Sequence, residues 1–353
     1  MPNKYMSARH STLKPYVPGE QPKQGEFLKL NTNESPFSVA SEAYSAMQNN
    51  MRDVKLYPDP TYAELRASLA NLYNLEAANV IVGNGSDEVL NFAFMALCDD
   101  ERPAVFPDIS YGFYPVFAQV NNLPSVVVPL KEDLSVDIDA LAKTDGTIFL
   151  ANPNAPTGIA VVPETVAALA EAKPNRVIVV DEAYVDFGAQ SCVPLVKTHE
   201  NILVTQTFSK SRSMAGARLG FAFGQPALIE CLETVRNSLN PYNVNSLTVA
   251  LALEVLLRED QTRANCSEIA RVRALTAERL TELGFEVTPS QANFLFVKHN
   301  KISGQEIYEK LKARTILVRH FNVPRIVNYN RITIGTEQQM NTLVAKLKEI
   351  VNA

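Results

Sequence analysis

Apolar residues recur along this chain in two rhythms. From about residue 60, short runs rich in β-branched side chains alternate with stretches whose apolar positions return every three or four residues. "NVIVG" (79–83), "PAVFP" (103–107), "SVVVPL" (125–130), "TIFLANP" (147–153), "RVIVVDEA" (176–183) and "NILVTQTFSK" (201–210) are of the first kind, and "GFAFG" (220–224) extends the series. "TYAELRASLANLYN" (61–74) and "SDEVLNFAFMALC" (86–98) are of the second. Acidic residues at the start of the latter suit a helix N-terminus. The strand runs are nearly continuous rather than alternating, which predicts a sheet covered on both faces. Their alternation with helices predicts a largely parallel, doubly wound α/β fold.

The pattern changes after "NPYNVN" (240–245). A long helix-like region (246–283) is followed by "FEVTPSQANFLFVK" (285–298), a helix at 303–314, "ILVRHF" (316–321), "NRITIG" (330–335) and a terminal helix. Residues 1–26 carry Pro, Lys and Gly without a period and read as an extended arm. The predicted organisation is therefore an N-terminal arm and small-domain segment (1–39), a large domain (40–240) and a small C-terminal domain (241–353). A chain of 353 residues has room for such a pair of units.

Composition narrows the function classes. A net charge of −5, with no run of five Lys/Arg, argues against a nucleic-acid binder. No stretch approaches 18 apolar residues, so no membrane span is expected, and the N-terminus lacks a hydrophobic signal core. Cys98, Cys192, Cys231 and Cys266 are far apart, which suits reduced thiols in a cytoplasmic protein and, with four scattered histidines, no metal site.

Four features fall at the carboxyl ends of predicted strands, where open parallel sheets collect ligands. "GNGSDE" (83–88) is a Gly-rich turn into a helix. It suits either a phosphate cradle or a structural turn, and it is not a dinucleotide fingerprint, since G-x-G-x-x-G is absent. Asp181 ends a buried strand, where a carboxylate needs a positive partner, hydrogen-bond donors or a capping role. Lys210 ends the next strand, and Arg218 follows eight residues later. A desolvated lysine near other cations becomes a usable amine nucleophile, whereas a solvated loop lysine does not. A phosphate turn, a buried carboxylate and an amine together fit pyridoxal phosphate.

These stretches, with "LKLNTNESPF" (28–37), "LYPDP" (56–60), "PDISYGFYP" (107–115), "NPNAPTG" (152–158), "VVDEAYVDF" (179–187), "TFSKSRSMAGARLGF" (207–221) and "SQANFLFV" (290–297), resemble the fold-type I pyridoxal-phosphate aminotransferases. The likeness is greatest to the histidinol-phosphate aminotransferases and covers nearly the whole chain. It implies a mostly parallel sheet sandwiched by helices, plus a smaller α+β domain built from the C-terminal part and the arm. It also implies a cytoplasmic homodimer with shared active sites, small-molecule amino donor and 2-oxo acid substrates, and no nucleic-acid or membrane partner. The activity implied is transamination of L-histidinol phosphate with 2-oxoglutarate, giving imidazole acetol phosphate and L-glutamate in histidine biosynthesis. An aromatic-amino-acid aminotransferase, a threonine-phosphate decarboxylase and a catalytically silent pyridoxal-binding regulator share the framework.

By the same resemblance, Lys210 forms the Schiff base and shuttles the proton, Asp181 faces the pyridine nitrogen, and Tyr184 bonds the phenolic oxygen. Tyr111 stacks on the ring. Ser86, Asp87, Ser209 and Arg218 surround the phosphate, and Tyr57 reaches the phosphate held by a neighbouring subunit. Arg331 clamps the α-carboxylate, Arg319 and Tyr16 meet the substrate phosphate, and Asn33 and Asn293 line the pocket. One position departs from the pattern: the asparagine usual before Pro-Thr-Gly is Ala155, with Asn154 one place earlier as its candidate replacement. Arg212 and Ser213, in "KSRSMAG", receive no role.

Overall fold

Val and Ile lose little by adopting extended backbone and pack well on a pleated surface, so the β-branched runs become strands. The protein is described by a computed structural model covering residues 5–16, 18–21 and 27–352; the rest of the arm predicted over 1–26 lies outside the described residues. After β1 (Leu28–Lys29) come β2 (Val80–Gly83), β3 (Ala104–Pro107), β4 (Ser125–Val128), β5 (Thr147–Ala151), β6 (Ile178–Asp181), β7 (Ile202–Thr207) and β8 (Gly220–Phe223). The last seven form one sheet in the order β2-β8-β7-β6-β5-β3-β4. Only β8 runs antiparallel to its neighbours.

Alternate residues of these strands feed two apolar layers. Ile178, Val180, Ile202 and Val204 pack on one face with Leu65, Leu69, Val166 and Leu169. Val179 and Leu203 pack on the other with Val89, Phe92, Phe94 and Ile229. The edge strand β4 is the exception, for Val126 and Val127 are exposed. The other edge strand, β2, is buried throughout because Leu65 and Leu69 pack on one face and Val89 and Leu90 on the other, so β4 lacks that cover rather than merely a neighbour.

The small unit holds β9 (Phe285–Val287), β10 (Phe294–His299), β11 (Ile316–Leu317), β12 (Arg319–His320) and β13 (Tyr329–Thr333). Four of these form an antiparallel sheet, β12-β13-β10-β9, while β11 pairs in parallel with β1 and ties the arm to this unit. The helix-like region 246–283 divides at Leu257 and Arg258 into helices Ser246–Leu256 and Glu259–Glu282. The first gives Leu251, Ala252 and Val255 to the large sheet's core, and the second gives Cys266, Ile269 and Val272 to the core under the small sheet. The helix Ser41–Asn50 buries only Ala43, too weak a stripe for its sequence to announce it. Among the described residues no helix is long and apolar enough to cross a membrane, and no cluster of His, Cys, Asp and Glu could hold a metal.

Candidate active site

Strand period decides which side chains meet. On β6 and β7 the residues Val179, Asp181, Leu203, Thr205 and Thr207 share one face, while Glu182 and Gln206 point to the other. Asp181 is 4% exposed and receives hydrogen bonds from Tyr114 Oη (3.1 Å) and Thr205 Oγ1 (3.4 Å). Burial pushes its carboxyl up to about 6, against the lowering effect of the Tyr114 bond. Among the described residues it has no ion-pair partner, so this carboxylate suits a cation that the chain does not supply.

Lys210 follows β7 and enters the same cleft, a cavity of about 150 Å³ lined also by Tyr111, Ala155, Tyr184, Ser209, Arg218 and Arg331. Its Nζ donates to the Thr32 carbonyl (3.1 Å) and lies 5.9 Å from the Tyr184 ring centroid. Burial first and then the nearby Arg331 charge bring its amine down to about 8, with Glu34 and Asp87 pulling the other way. A lysine so placed has a sizeable neutral fraction near neutral pH, which a solvated lysine lacks.

Ser86 and Asp87 open the helix Ser86–Leu97, capped by Gly85 at φ +87° with no side chain satisfying the first-turn N–H groups. β2 and β8 pair Gly83 with Gly220, and a Cβ at Gly220 would stand 2.1 Å from Ser86 N. A Cβ at Gly85 would stand 2.6 Å from Arg218 Nη2. Glycine is therefore what lets strand, helix N-terminus and guanidinium converge. Arg218, itself left-handed at φ +57°, reaches Asp87 Oδ2 (3.1 Å) and Ser209 Oγ (3.5 Å), and Tyr111 Oη donates to Asp87 Oδ1 (2.6 Å). Free N–H groups, two hydroxyls and an arginine make a cradle for an anion.

The small sheet delivers the remaining cations. Arg319 on β12 and Arg331 on β13 are direct cross-strand partners, and each guanidinium lies 5.7 Å from the Phe321 ring. Like charges set opposite each other cost stability. Arg331 has no carboxylate partner among the described residues; it donates to the Asn31 carbonyl (3.2 Å), and its buried Nε has no partner. Arg319 donates to the Pro18 carbonyl of the arm (3.2 Å). Tyr16 lines the cleft and stacks on Phe113 at 4.3 Å.

Four expected residues stand elsewhere. Asn154 does not reach the cleft: its amide accepts from Ser110 Oγ and donates to the Ile109 carbonyl and Thr157 Oγ1, which uses both N–H groups on the turn itself. Ala155 presents its methyl to the cleft instead. Asn33 and Asn293 lie behind the wall rather than in it; Asn33 Nδ2 donates to Tyr184 Oη (3.0 Å), and Asn293 Nδ2 donates to the Asn33 carbonyl (3.0 Å). Tyr57 is 80% exposed and stacks on Tyr242, away from this chain's own cleft.

Sequence reasoning passed over Thr32, Tyr114, Gly220 and Arg212. Tyr114 could have been found, since it lies three residues after Tyr111 in "YGFYP". Arg212 is 2% exposed and meets Asp186 (3.4 Å), Glu259 (3.2 Å) and Tyr73 Oη (3.3 Å). Glu259 lies far along the chain, beyond any local signal.

Residues 25–347 match the family model "Aminotransferase class I and II". The chain is 46% identical over 340 residues to "Histidinol-phosphate aminotransferase 1" of Bradyrhizobium diazoefficiens, covering 96% of this chain and 97% of that one. It is 43% identical over 351 residues to the histidinol-phosphate aminotransferase of Clostridium beijerinckii, covering 99% and 98%. Among solved structures, the histidinol-phosphate aminotransferase of Sinorhizobium meliloti, in complex with pyridoxal-5'-phosphate, superimposes with a TM-score of 0.84 at 25% identity, covering 92% and 91%. A threonine phosphate decarboxylase from Porphyromonas gingivalis, at 20% identity and a TM-score of 0.78, shares the fold. The chain therefore belongs to the class I and II aminotransferases, a family of pyridoxal-phosphate enzymes.

Proposed function

We propose that the chain transaminates L-histidinol phosphate with 2-oxoglutarate, giving imidazole acetol phosphate and L-glutamate. The observation that carries this reading is Arg331, which with Tyr16 lines the cleft that holds Lys210 and is paired across β13 and β12 with Arg319, outside the cavity's lining. Two guanidinium groups without carboxylate relief on Arg331 suit a substrate that is anionic at both ends. Relatives more than 40% identical carry the histidinol-phosphate name over nearly the whole chain, whereas the decarboxylase likeness is one of fold.

The residues present fit pyridoxal phosphate. Asp181, buried without a cation, suits a protonated ring nitrogen, and Tyr184 and Tyr111 border the ring's space. Ser86, Ser209, Arg218 and the backbone N–H of Asp87 suit its phosphate, in room kept open by Gly85 and Gly220. When bound, the cofactor supplies an aldehyde that accepts the amino group and a ring that takes up the electrons of the broken Cα–H bond. Lys210 Nζ, held by the Thr32 carbonyl, takes the proton from the substrate Cα and returns it. Arg331 grips the α-carboxylate in a planar, two-point clamp, which fixes the direction of the Cα–H bond.

Tyr57 is assigned to the cofactor phosphate of a second copy of the chain. Its exposure, beside exposed Met51, Val54, Leu56 and Leu257, supports a dimer with shared sites. The test is a donor panel. Glutamate should form from 2-oxoglutarate with histidinol phosphate at a kcat/KM well above that with aromatic amino acids, and borohydride should fix the cofactor to the Lys210 peptide. Release of carbon dioxide from threonine phosphate at a higher rate, or a fixed label elsewhere, would overturn the assignment.

A further inference from the structure

The wall formed by Ala155 and Tyr184 contains an arrangement that the reaction scheme above leaves unused. Tyr184 is buried, its ring fixed edge-on against Phe294 at 5.1 Å, so its hydroxyl oxygen has one position. That oxygen accepts a hydrogen bond from Asn33 Nδ2 (3.0 Å). Among the described residues its own O–H has no acceptor. Across the cleft side, position 155 offers only a methyl group.

Asn33 is itself held on every side. It is 1% exposed and left-handed at φ +58°, a conformation that asparagine tolerates better than most residues. Its N–H donates to Thr333 Oγ1 (2.9 Å), its Oδ1 accepts from that same hydroxyl (3.0 Å), and its carbonyl accepts from Asn293 Nδ2 (3.0 Å). The amide's orientation follows from this. If the amide were turned over, the buried Thr333 hydroxyl would lose its acceptor, and Tyr184 would spend its proton on Asn33. Thr333 lies on β13, two residues from Arg331, so one strand carries both the arginine and the support of the tyrosine.

We propose that Asn33 is a positioning residue: by donating to Tyr184 Oη it turns the tyrosine's own proton into the cleft, the hydrogen bond that Ala155 cannot give. This rests on the cofactor reading above, in which that proton meets the cofactor's phenolic oxygen. The charged groups that also act on Tyr184 are Arg331 from β13, Asp181 from β6 and Asp87 from the helix Ser86–Leu97, with the Lys210 ammonium over its ring. Their number makes a comparison at constant charge necessary, so neutral substitutions are the right probe.

The experiment loads wild type, Asn33→Gly, Tyr184→Phe and the double variant with pyridoxal phosphate. The pH midpoint of the visible absorbance change and the melting temperature are then read. Glycine accepts the positive φ, so the Asn33→Gly chain keeps its path. A donor to an anionic oxygen stabilises the unprotonated form, so losing it raises the midpoint. Tyr184→Phe should raise it by about one pH unit and Asn33→Gly by roughly half of that, with no further rise in the double variant. Asn33→Gly/Ala155→Asn, which restores an amide to the wall, should bring the midpoint back toward wild type. A fall in midpoint for Asn33→Gly would mean that the amide was accepting the tyrosine's proton, and would overturn the proposal. A lower melting temperature with an unmoved midpoint, or additive shifts in the double variant, would overturn it too. A wild type that takes up no visible band would instead sink the cofactor reading beneath it.

Discussion

Asp181 and Glu182 are consecutive, buried and acidic, yet they face opposite sides of β6 and live in different chemistry. Glu182 looks away from the cleft, where its carboxylate accepts from Ser191 Oγ (2.6 Å), Cys192 N (2.5 Å) and Gln206 Nε2 (2.9 Å). Gln206 accepts from Tyr73 Oη, which accepts from Arg212, and Arg212 in turn meets Asp186 and Glu259. On this side Arg212 has two carboxylates, while Glu182 has neutral donors only and burial pushes its carboxyl up to about 7. Across the strand, Asp181 likewise has hydroxyl donors and a backbone N–H but no cation; what differs is that it lines the cleft, where neither Lys210 nor Arg331 has a carboxylate within ion-pair reach among the described residues.

Arg212 and Arg331 sharpen the contrast. Both leave a buried Nε without a partner, so that feature alone does not separate a structural arginine from a ligand-binding one. The carboxylates do: Arg212 has two and Arg331 none. In the cleft Arg218 pairs with Asp87, while Lys210, Arg331 and Asp181 keep charges that no opposite charge of the described residues meets, as a binding site for a zwitterionic, multiply charged ligand requires. The back face shows what the same residue types do when stability is all that is asked of them.

Removing a charge should therefore have opposite signatures on the two faces. The largest effect expected is on the cleft side: Lys210→Ala should lower glutamate formation by on the order of 10⁴-fold. Its melting temperature should stay at or above that of wild type, since a buried cation without a carboxylate is lost. Normal turnover by this variant would end the comparison at once. Next in size, Arg212→Met leaves Asp186 and Glu259 without their cation and should cost about 3–5 kcal/mol in a urea titration. A loss below 1 kcal/mol would show that the back-face network is not structural.

Arg331→Lys keeps the charge but breaks the planar fork. KM for the amino donor should rise roughly 10–100-fold, with kcat changed far less and the urea midpoint unmoved. The mildest test is pH. Burial holds the Lys210 amine at about 8, and only the neutral form attacks an aldehyde, so cofactor capture by the apoprotein should quicken as pH rises through 8 and level off above it. A rate flat from pH 6 to 9 would place the amine outside the cleft's influence.

Legibility in the sequence follows the same divide. Lys210, Asp181 and Arg218 could be picked out because each ends or follows a recognisable strand, whereas Arg331, in the middle of β13, was named from the family resemblance. Asn154 could not be judged, because the direction of an amide in a turn depends on Ser110 and Thr157, which compete for it. Asn33 and Asn293 stand one layer behind the cleft wall, held there by hydrogen bonds between residues 260–300 apart in sequence, which no local pattern announces. Arg212 stands two residues from the lysine and gave no signal at all. Its meaning comes from Glu259, at the start of a helix in the other unit.

By itself the chain determined its strands, their mostly parallel order and the residue types gathered at the strand ends, because apolar periodicity and the Gly-rich turn are local properties. The helix break at Leu257–Arg258, the exposed edge at β4 and the antiparallel course of β8 needed the assembled structure. So did the division of labour between Asp181 and Glu182. Two neighbouring carboxylates are alike in sequence, and only the layers packed on either side of the strand decide which one faces the cleft.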